Sequence, residues 1–188
     1  MIRHAEAHPS PGWDNGNFVA AGQWRALALP NALRGKINPT EVYASDPAQI
    51  FPGAYVVAGN SNFSYVRPAL TVEPYAIANN LPFYLVSEFD LFDPNSPKKI
   101  SDKFFSGGAF SNKTVLLAWE HNHFPAIITE LLASNFPADK VPKVPAWPSD
   151  DYDTIWTVTL DAQGNLTVNN ALCEGIDTTK LPVTGPKY

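Results

Sequence analysis

The chain has 188 residues, of which 45% are hydrophobic and 12% are aromatic. This length and composition predict one globular domain over residues 1–188 with a sizeable core, and they exclude a disordered chain. The formal net charge is −5, and without a basic run the chain has no electrostatic footprint for nucleic acid. No apolar run approaches the roughly 18–20 residues of a transmembrane helix. We therefore expect neither a nucleic-acid nor a membrane partner, and the sequence does not indicate an oligomeric state.

Cysteine and arginine usage narrows the kinds of site that the chain can hold. Cys173 is the single cysteine, which excludes an intrachain disulfide. No Cys or His spacing is typical of a metal centre, and we expect neither a metal nor another cofactor. A compact anionic ligand would therefore rely on arginine, which is scarce, and the candidates are Arg3, Arg25, Arg34 and Arg67.

In the first third of the chain, helix and strand signals alternate with loops. Residues 7–17 are rich in Pro, Gly and Asn and predict a loop. Apolar residues at helical spacing predict a helix over residues 18–33, in which Pro30 is expected to produce a kink or an end. The apolar run Glu41–Ser45 predicts a short buried strand. Residues 46–63, with several Gly and Asn, predict an insertion before the next helix.

The rest of the chain continues the alternation and ends in a hairpin. The patterns predict, in order, a helix from residue 68 to about 80, a strand over 83–87, a loop over 93–101, a helix over 101–110, a strand over 114–119, a helix over 124–133, a loop over 137–153 and a hairpin of 154–160 with 166–168. Such alternation predicts an α/β fold with three α/β/α layers, in which a mostly parallel sheet carries helices on both faces. The C-terminal β-hairpin adds an antiparallel edge.

Arg3 and His4 lie at the end of the first predicted strand, in a run of Arg-His-Ala-Glu. A guanidinium clamps phosphate oxygens through two hydrogen bonds, and a neighbouring imidazole can attack phosphorus. Arg67, at the start of a predicted helix, and His121, directly after a predicted strand, supply a second pair. Strand ends in an open α/β sheet face one crevice, and a helix N-terminus offers donors to an anion. We therefore expect these four residues to converge on a phosphate site.

The order of these motifs resembles the histidine phosphatase superfamily, also called the phosphoglycerate mutase-like family. The resemblance covers roughly residues 1–160 and rests on several short runs that follow one another as in that family. The runs are Arg3-His4-Ala5-Glu6, Gly22 through Leu29, Val42 through Ser45, Arg67 with Thr71, Glu73 and Pro74, and the apolar strand before His121. The resemblance implies the phosphoglycerate mutase-like fold.

The resemblance also implies an enzyme, a phosphoric monoester hydrolase that needs no metal. His4 is then the nucleophile, which carries the phosphoryl group as phosphohistidine. Arg3, Arg67 and His121 hold the phosphate oxygens and complete the site. The expected partner is a small phosphorylated substrate, either a phosphomonoester or a phosphoramidate, and the sequence does not indicate which compound it is.

The general acid and the second histidine of the site stay open. Glu88, just after a predicted strand, is the best candidate where one branch of the family has its acid. Glu120 is an alternative, because it stands where the family usually has a small residue, and an enzyme without an acid is a third possibility. His121 is favoured over His123 because it lies closer to the end of the strand. Glu6 is expected to be structural.

Other functions are compatible with the same pattern. One is a non-catalytic relative that binds phosphate, since the acid is uncertain and the first strand is short. A second is a phosphoglycerate mutase-type phosphotransferase, which the short chain disfavours. A third is a metal-dependent hydrolase that uses His121 and His123, for which no motif supplies carboxylate partners.

The opening of the chain also bears on localisation. The family has several apolar residues before its Arg-His pair, whereas only Met1 and Ile2 precede Arg3 here. Either the first strand is very short or the natural chain begins upstream, where a signal segment could lie. We expect a soluble protein that is cytoplasmic, or exported if an upstream signal segment is missing.

Overall fold

The computed structural model describes residues 1–6, 17–51 and 63–187. Within these ranges the strands and α-helices are β1 (Ile2–Arg3), α1 (Ala20–Ala32), β2 (Glu41–Ser45), β3 (Ile50–Phe51), β4 (Phe63–Ser64), α2 (Arg67–Ala78), β5 (Phe83–Val86), α3 (Ser96–Phe105), β6 (Val115–Trp119), α4 (His123–Asn135), β7 (Thr154–Leu160) and β8 (Leu166–Cys173). Most of the predicted loop 7–17 and the middle of the predicted insertion 46–63 lie outside the described residues. No helix within the described ranges is long and apolar enough to cross a membrane.

Six strands form one sheet in the order β5-β2-β6-β1-β7-β8. The first four strands of that order are parallel to one another, and β7 runs antiparallel to β1. β8 pairs with β7 as a hairpin, and β3 pairs with β4 in a separate two-stranded sheet. The prediction of a mostly parallel sheet with an antiparallel C-terminal hairpin is therefore confirmed.

Alternate residues of β6 point to opposite faces of the sheet, as the twofold period of a strand requires. Leu116 and Ala118 pack in one apolar cluster with residues of α1 and α2. Leu117 and Trp119 pack in a second cluster with residues of α3 and α4. Within each helical layer the two helices also contact each other. Helices thus cover both faces of the sheet, which confirms the predicted α/β/α layers.

The structure departs from the predicted elements at β8, which extends five residues beyond the predicted 166–168, and at α3. We predicted a loop over 93–101 and a helix over 101–110, whereas the helix is Ser96–Phe105. Pro97 lies in the first turn of this helix, where an N–H is not needed for an intrahelical bond. Gly107 and Gly108 follow with φ of 72° and 74°, a conformation that glycine adopts without strain. Proline therefore marks the start of this helix rather than a loop.

The ends of β1 and β6 determine where the candidate site lies. The two strands are parallel neighbours, and Arg3 stands opposite Trp119. The backbone N–H of His4 continues the ladder by donating to the Trp119 carbonyl at 3.0 Å. As a result, His4 and Glu120 leave the sheet side by side at its carboxyl edge, the edge at which open α/β sheets bind ligands.

Candidate active site

The His4 ring is held in one orientation by its own chain. The residue is buried, with 1% of its surface exposed. Its Nδ1 lies 2.7 Å from the carbonyl oxygen of Ala5, and because a carbonyl only accepts, Nδ1 must carry a proton. The other ring nitrogen, Nε2, faces Glu120 at 2.5 Å from Oε1. Nε2 is therefore the nitrogen that is presented to the site.

The contact between Nε2 and Oε1 requires a proton between the two atoms, since two lone pairs repel at this distance. Burial lowers the pKa of His4, and the positive charge of Arg67 lowers it further. The negative charge of Glu120 and its hydrogen bond raise the pKa, but the net shift is downward. For Glu120, burial raises the pKa, but the charge of His4 and the hydrogen bonds from His121 and His4 hold it well below its usual value. The two groups titrate as a pair that shares one proton.

The second oxygen of the Glu120 carboxylate reaches another histidine of the site. Oε2 lies 3.2 Å from Nδ1 of His121, and the Glu120 side chain is 16% exposed. The Tyr65 hydroxyl is 3.5 Å from Oε1, and the Tyr65 ring meets the His4 ring edge-on at 5.8 Å between centroids. Glu120 therefore bridges His4 and His121, with Tyr65 along one side.

Arg67 begins α2 and is almost fully buried, with 4% of its surface exposed. Its guanidinium lies 4.8 Å from the centre of the Tyr65 ring, and Nη1 donates to the Asn17 carbonyl at 3.4 Å. Thr71, one turn along α2, donates to the Arg67 carbonyl and accepts from the backbone N–H of Ala5, both at 2.7 Å. This hydroxyl ties the start of α2 to the segment that follows His4.

Arg3 is held by the segment that precedes β7. Its Nη1 donates to the carbonyls of Ser149 at 2.5 Å and Asp151 at 3.4 Å. Its guanidinium stacks on the Tyr152 ring, 3.7 Å from the ring centre. The charge of Arg3 also interacts with Glu120. The long loop before β7 thus positions the first arginine of the motif.

Two further residues support the Arg-His segment, and the sequence patterns did not indicate this role for them. Arg25 is fully buried and donates to Glu174 through Nε at 2.8 Å and Nη2 at 2.6 Å. Nη2 also donates to the Arg3 carbonyl at 3.2 Å. The helical spacing of Arg25 with Leu29 was a signal for its burial, whereas no local pattern indicates Glu174.

Gly22 explains why the predicted helix is entered through a glycine. A Cβ at this position would lie 3.0 Å from the backbone nitrogen of Glu6 and 3.1 Å from Cβ of Ala5. A Cβ would also lie 2.9 Å from Cβ of Phe18, closer than real Cβ atoms come, so the absence of a side chain at residue 22 allows α1 to approach the segment after His4 closely.

The remaining candidates lie in different surroundings. Glu88 forms an ion pair with Lys103 of α3 at 2.8 Å, and no contact joins it to His4 among the described residues. The His123 ring packs on Trp119 with 4.3 Å between centroids, and burial lowers its pKa. The structure thus brings Glu120 and His121 to His4, and places Glu88 and His123 against other partners. Across the described part of the chain, no group of three or more His, Cys, Asp or Glu residues is arranged to hold a metal ion.

The sequence matches no protein-family model and no curated protein. Solved structures do match the fold. The protein histidine phosphatase SixA, in complex with tungstate, superposes with a TM-score of 0.53 at 20% identity, over 92% of this chain and 94% of that one. A putative α-ribazole-5'-P phosphatase from Escherichia coli gives a TM-score of 0.54 at 12% identity, over 94% and 97%. The chain has the histidine phosphatase fold.

A third neighbour with the histidine phosphatase fold is a mycobacterial glucosyl-3-phosphoglycerate phosphatase in complex with inorganic phosphate. It superposes with a TM-score of 0.53 at 12% identity, over 93% of this chain and 97% of that one. The resemblance that the motifs indicated is therefore confirmed as a likeness of fold, and each of these neighbours is described as a phosphatase.

Proposed function

We propose that this protein is a metal-independent phosphatase that hydrolyses a phosphomonoester or a phosphoramidate through a phosphohistidine at His4. The orientation of the His4 ring carries the proposal. Because the Ala5 carbonyl keeps the proton on Nδ1, the free lone pair of neutral His4 can only be on Nε2, the atom that faces Glu120. Nε2 is thus the nucleophile that attacks phosphorus.

The charges around Nε2 suit a phosphoryl group. Burial lowers the pKa of His4 and the positive charge of Arg67 acts in the same direction, while the charge of Arg3 interacts with Glu120. We assign Arg3, Arg67 and His121 to the phosphate oxygens, because guanidinium and imidazole donors neutralise the charge that develops as phosphorus is transferred. The solved structures that share the fold are phosphatases, which supports a phosphatase activity for this chain.

Phosphohistidine trapping tests the proposal. The protein is incubated with p-nitrophenyl phosphate in EDTA, quenched in alkali, in which phosphohistidine survives, and digested for mass spectrometry. We expect nitrophenol release without added metal and a phosphoryl group on the peptide that contains His4. His4→Ala should retain at most a few per cent of the wild-type activity, and the matched variant His123→Ala should still be labelled at His4.

Vanadate provides a second measure of the same site. Its trigonal-bipyramidal form mimics the transition state, so we expect it to inhibit more strongly than phosphate. Activity that EDTA abolishes and a divalent ion restores would contradict metal independence. Tight binding of phosphate without turnover or labelling would favour the alternative, a non-catalytic phosphate-binding relative.

A further inference from the structure

We propose that Glu120 is the proton carrier of the reaction: it takes the proton from Nε2 of His4 and delivers it to the leaving oxygen of the substrate. This inference rests on the proposed phosphatase activity. It assigns the general acid to the residue directly before His121.

The first argument is the position of the carboxylate. Oε1 of Glu120 lies 2.5 Å from Nε2, so the shared proton moves between these two atoms without a relay. His4 must lose that proton before it can attack, because a protonated imidazole has no lone pair at Nε2. Glu120 is the side chain in hydrogen-bonding contact with Nε2 among the described residues, and it therefore receives the proton.

The second argument is that Glu120 can leave Nε2 without leaving the site. Its Oε1 occupies the space that the phosphorus must enter, so the incoming phosphoryl group displaces it. Its Oε2 stays next to Nδ1 of His121, at 3.2 Å, where we place the phosphate oxygens. The protonated carboxyl group can thus pivot about His121 and remain within reach of the substrate.

The chemical steps balance with the residues present. The proton passes from Nε2 to Glu120, Nε2 forms a bond to phosphorus, and the bond from phosphorus to the leaving oxygen breaks as Glu120 protonates that oxygen. Water then attacks phosphohistidine and gives a proton to the Glu120 carboxylate. The bond from Nε2 to phosphorus breaks, phosphate leaves, and the proton returns to the pair of His4 and Glu120.

Glu88, the other candidate for the general acid, does not contact His4 among the described residues. The Glu88 carboxylate accepts a hydrogen bond from Nζ of Lys103 at 2.8 Å. Burial raises the pKa of Glu88, but this contact with Lys103 outweighs it and lowers the pKa. A carboxylate held in an ion pair is a poor proton donor, and no contact connects it to His4 within the described ranges. Among the described residues, the charged and titratable groups near the Glu120 carboxylate include His4, His121, Tyr65, Arg3, His123 and Tyr152.

The test compares leaving groups of increasing basicity. Rates of enzyme phosphorylation are measured in single turnovers for p-nitrophenyl phosphate, phenyl phosphate and an alkyl phosphate, in wild type, Glu120→Gln, Glu88→Gln and Glu130→Gln. Glu130 lies on α4 and serves as the matched control. For Glu120→Gln we expect a small change with p-nitrophenyl phosphate, whose leaving group needs no proton, and a loss of about 10²–10⁴-fold with the alkyl phosphate.

The outcomes distinguish a failure of the proton-carrier role of Glu120 from a failure of the proposed phosphatase activity. The proton-carrier role of Glu120 is supported if the phosphorylation rate of Glu120→Gln falls steeply as the leaving group becomes more basic, while the rate of Glu130→Gln falls no more steeply than that of the wild type. If the rate of Glu88→Gln shows this steep fall instead, or if Glu120→Gln loses the same factor on all three substrates, the proton-carrier role is overturned. The proposed phosphatase activity is unaffected by either result. A wild-type protein that neither hydrolyses these esters nor labels His4 overturns both proposals.

Discussion

The Thr71 hydroxyl accepts a hydrogen bond at 2.7 Å from the backbone N–H of Ala5, the residue that follows His4. The same hydroxyl donates to the carbonyl of Arg67, one helical turn before it. One buried side chain therefore connects the backbone of the candidate nucleophile with that of the candidate phosphate-binding arginine. Their relative positions depend on it.

Replacement of this hydroxyl tests that connection. Thr71→Val keeps the shape of the side chain but leaves the buried N–H of Ala5 without a partner, which should cost about 1–3 kcal/mol of unfolding free energy. Thr129→Val is the matched control, because Thr129 donates to the carbonyl four residues before it, but from an exposed position. Urea denaturation of both variants measures the difference. Equal stability of the two variants would show that the Ala5 contact contributes nothing.

The buried pair of Arg25 and Glu174 leads to a second stability prediction. Neither side chain is exposed, and burial raises the pKa of Glu174 to about 7. Arg25→Met should destabilise the protein by about 3–5 kcal/mol, because it leaves the Glu174 carboxyl buried without its partner. Thermal or urea unfolding measures this loss.

The double variant Arg25→Met/Glu174→Leu checks the cause of that loss. It removes both polar groups, so we expect it to recover most of the stability. Arg34→Met, at an exposed position, should change the unfolding free energy by no more than about 0.5 kcal/mol. A double variant less stable than Arg25→Met would contradict the explanation.

Arg67 and Arg34 differ in their expected effect on catalysis. Arg67→Ala removes a buried cation beside His4 and should lower kcat/KM by the equivalent of about 2–4 kcal/mol, on the scale of losing a donor to the transition state. Arg34→Ala should leave kcat/KM unchanged, since the Arg34 side chain is exposed and donates to Asn31, away from His4. Arg25 is unsuitable as a control, because its guanidinium holds the Arg3 carbonyl. Similar kcat/KM values for the two alanine variants would exclude Arg67 from the site.

The directions of the pKa shifts predict an acidic pH optimum. The pair of His4 and Glu120 is competent when it holds one proton. On the acid side it gains a second proton at the pKa of Glu120, which lies well below the usual value of about 4.3. On the alkaline side it loses its only proton at the pKa of His4, which burial lowers below about 6.5. Activity on alkyl phosphates should therefore fall as the pH rises towards 7.

Glu120→Gln should remove the proton-donating limb of this pH profile. Without the carboxylate, the reactive form with p-nitrophenyl phosphate is neutral His4. The single-turnover rate of Glu120→Gln with this substrate should then increase as the pH rises through the pKa of His4, whereas the wild-type rate with alkyl phosphates should decrease. Rates of both proteins with both substrates, measured across the pH range, show these two trends, and a wild-type optimum above pH 7 with alkyl phosphates would contradict the shared proton.

Local patterns in the sequence determined most of the fold and part of the candidate site. Helical and strand periodicity depends on neighbours along the chain, so β2 was predicted with its observed bounds, Glu41–Ser45, and the alternation of strands and helices predicted the layers. The Arg-His run and the helix that begins at Arg67 were visible for the same reason, because each is a short motif with its own local context.

Only the tertiary structure decided which side chains meet. Glu120 contacts His4 because β1 and β6 are parallel neighbours in a register that places Arg3 opposite Trp119, and strand register depends on the packing of the whole sheet. Arg25 and Glu174 pair across 149 positions of the chain, a separation at which no sequence pattern specifies a contact. The sequence could name the residue types of a candidate phosphate site, whereas the finding that Glu120 and not Glu88 contacts His4 required their positions in space.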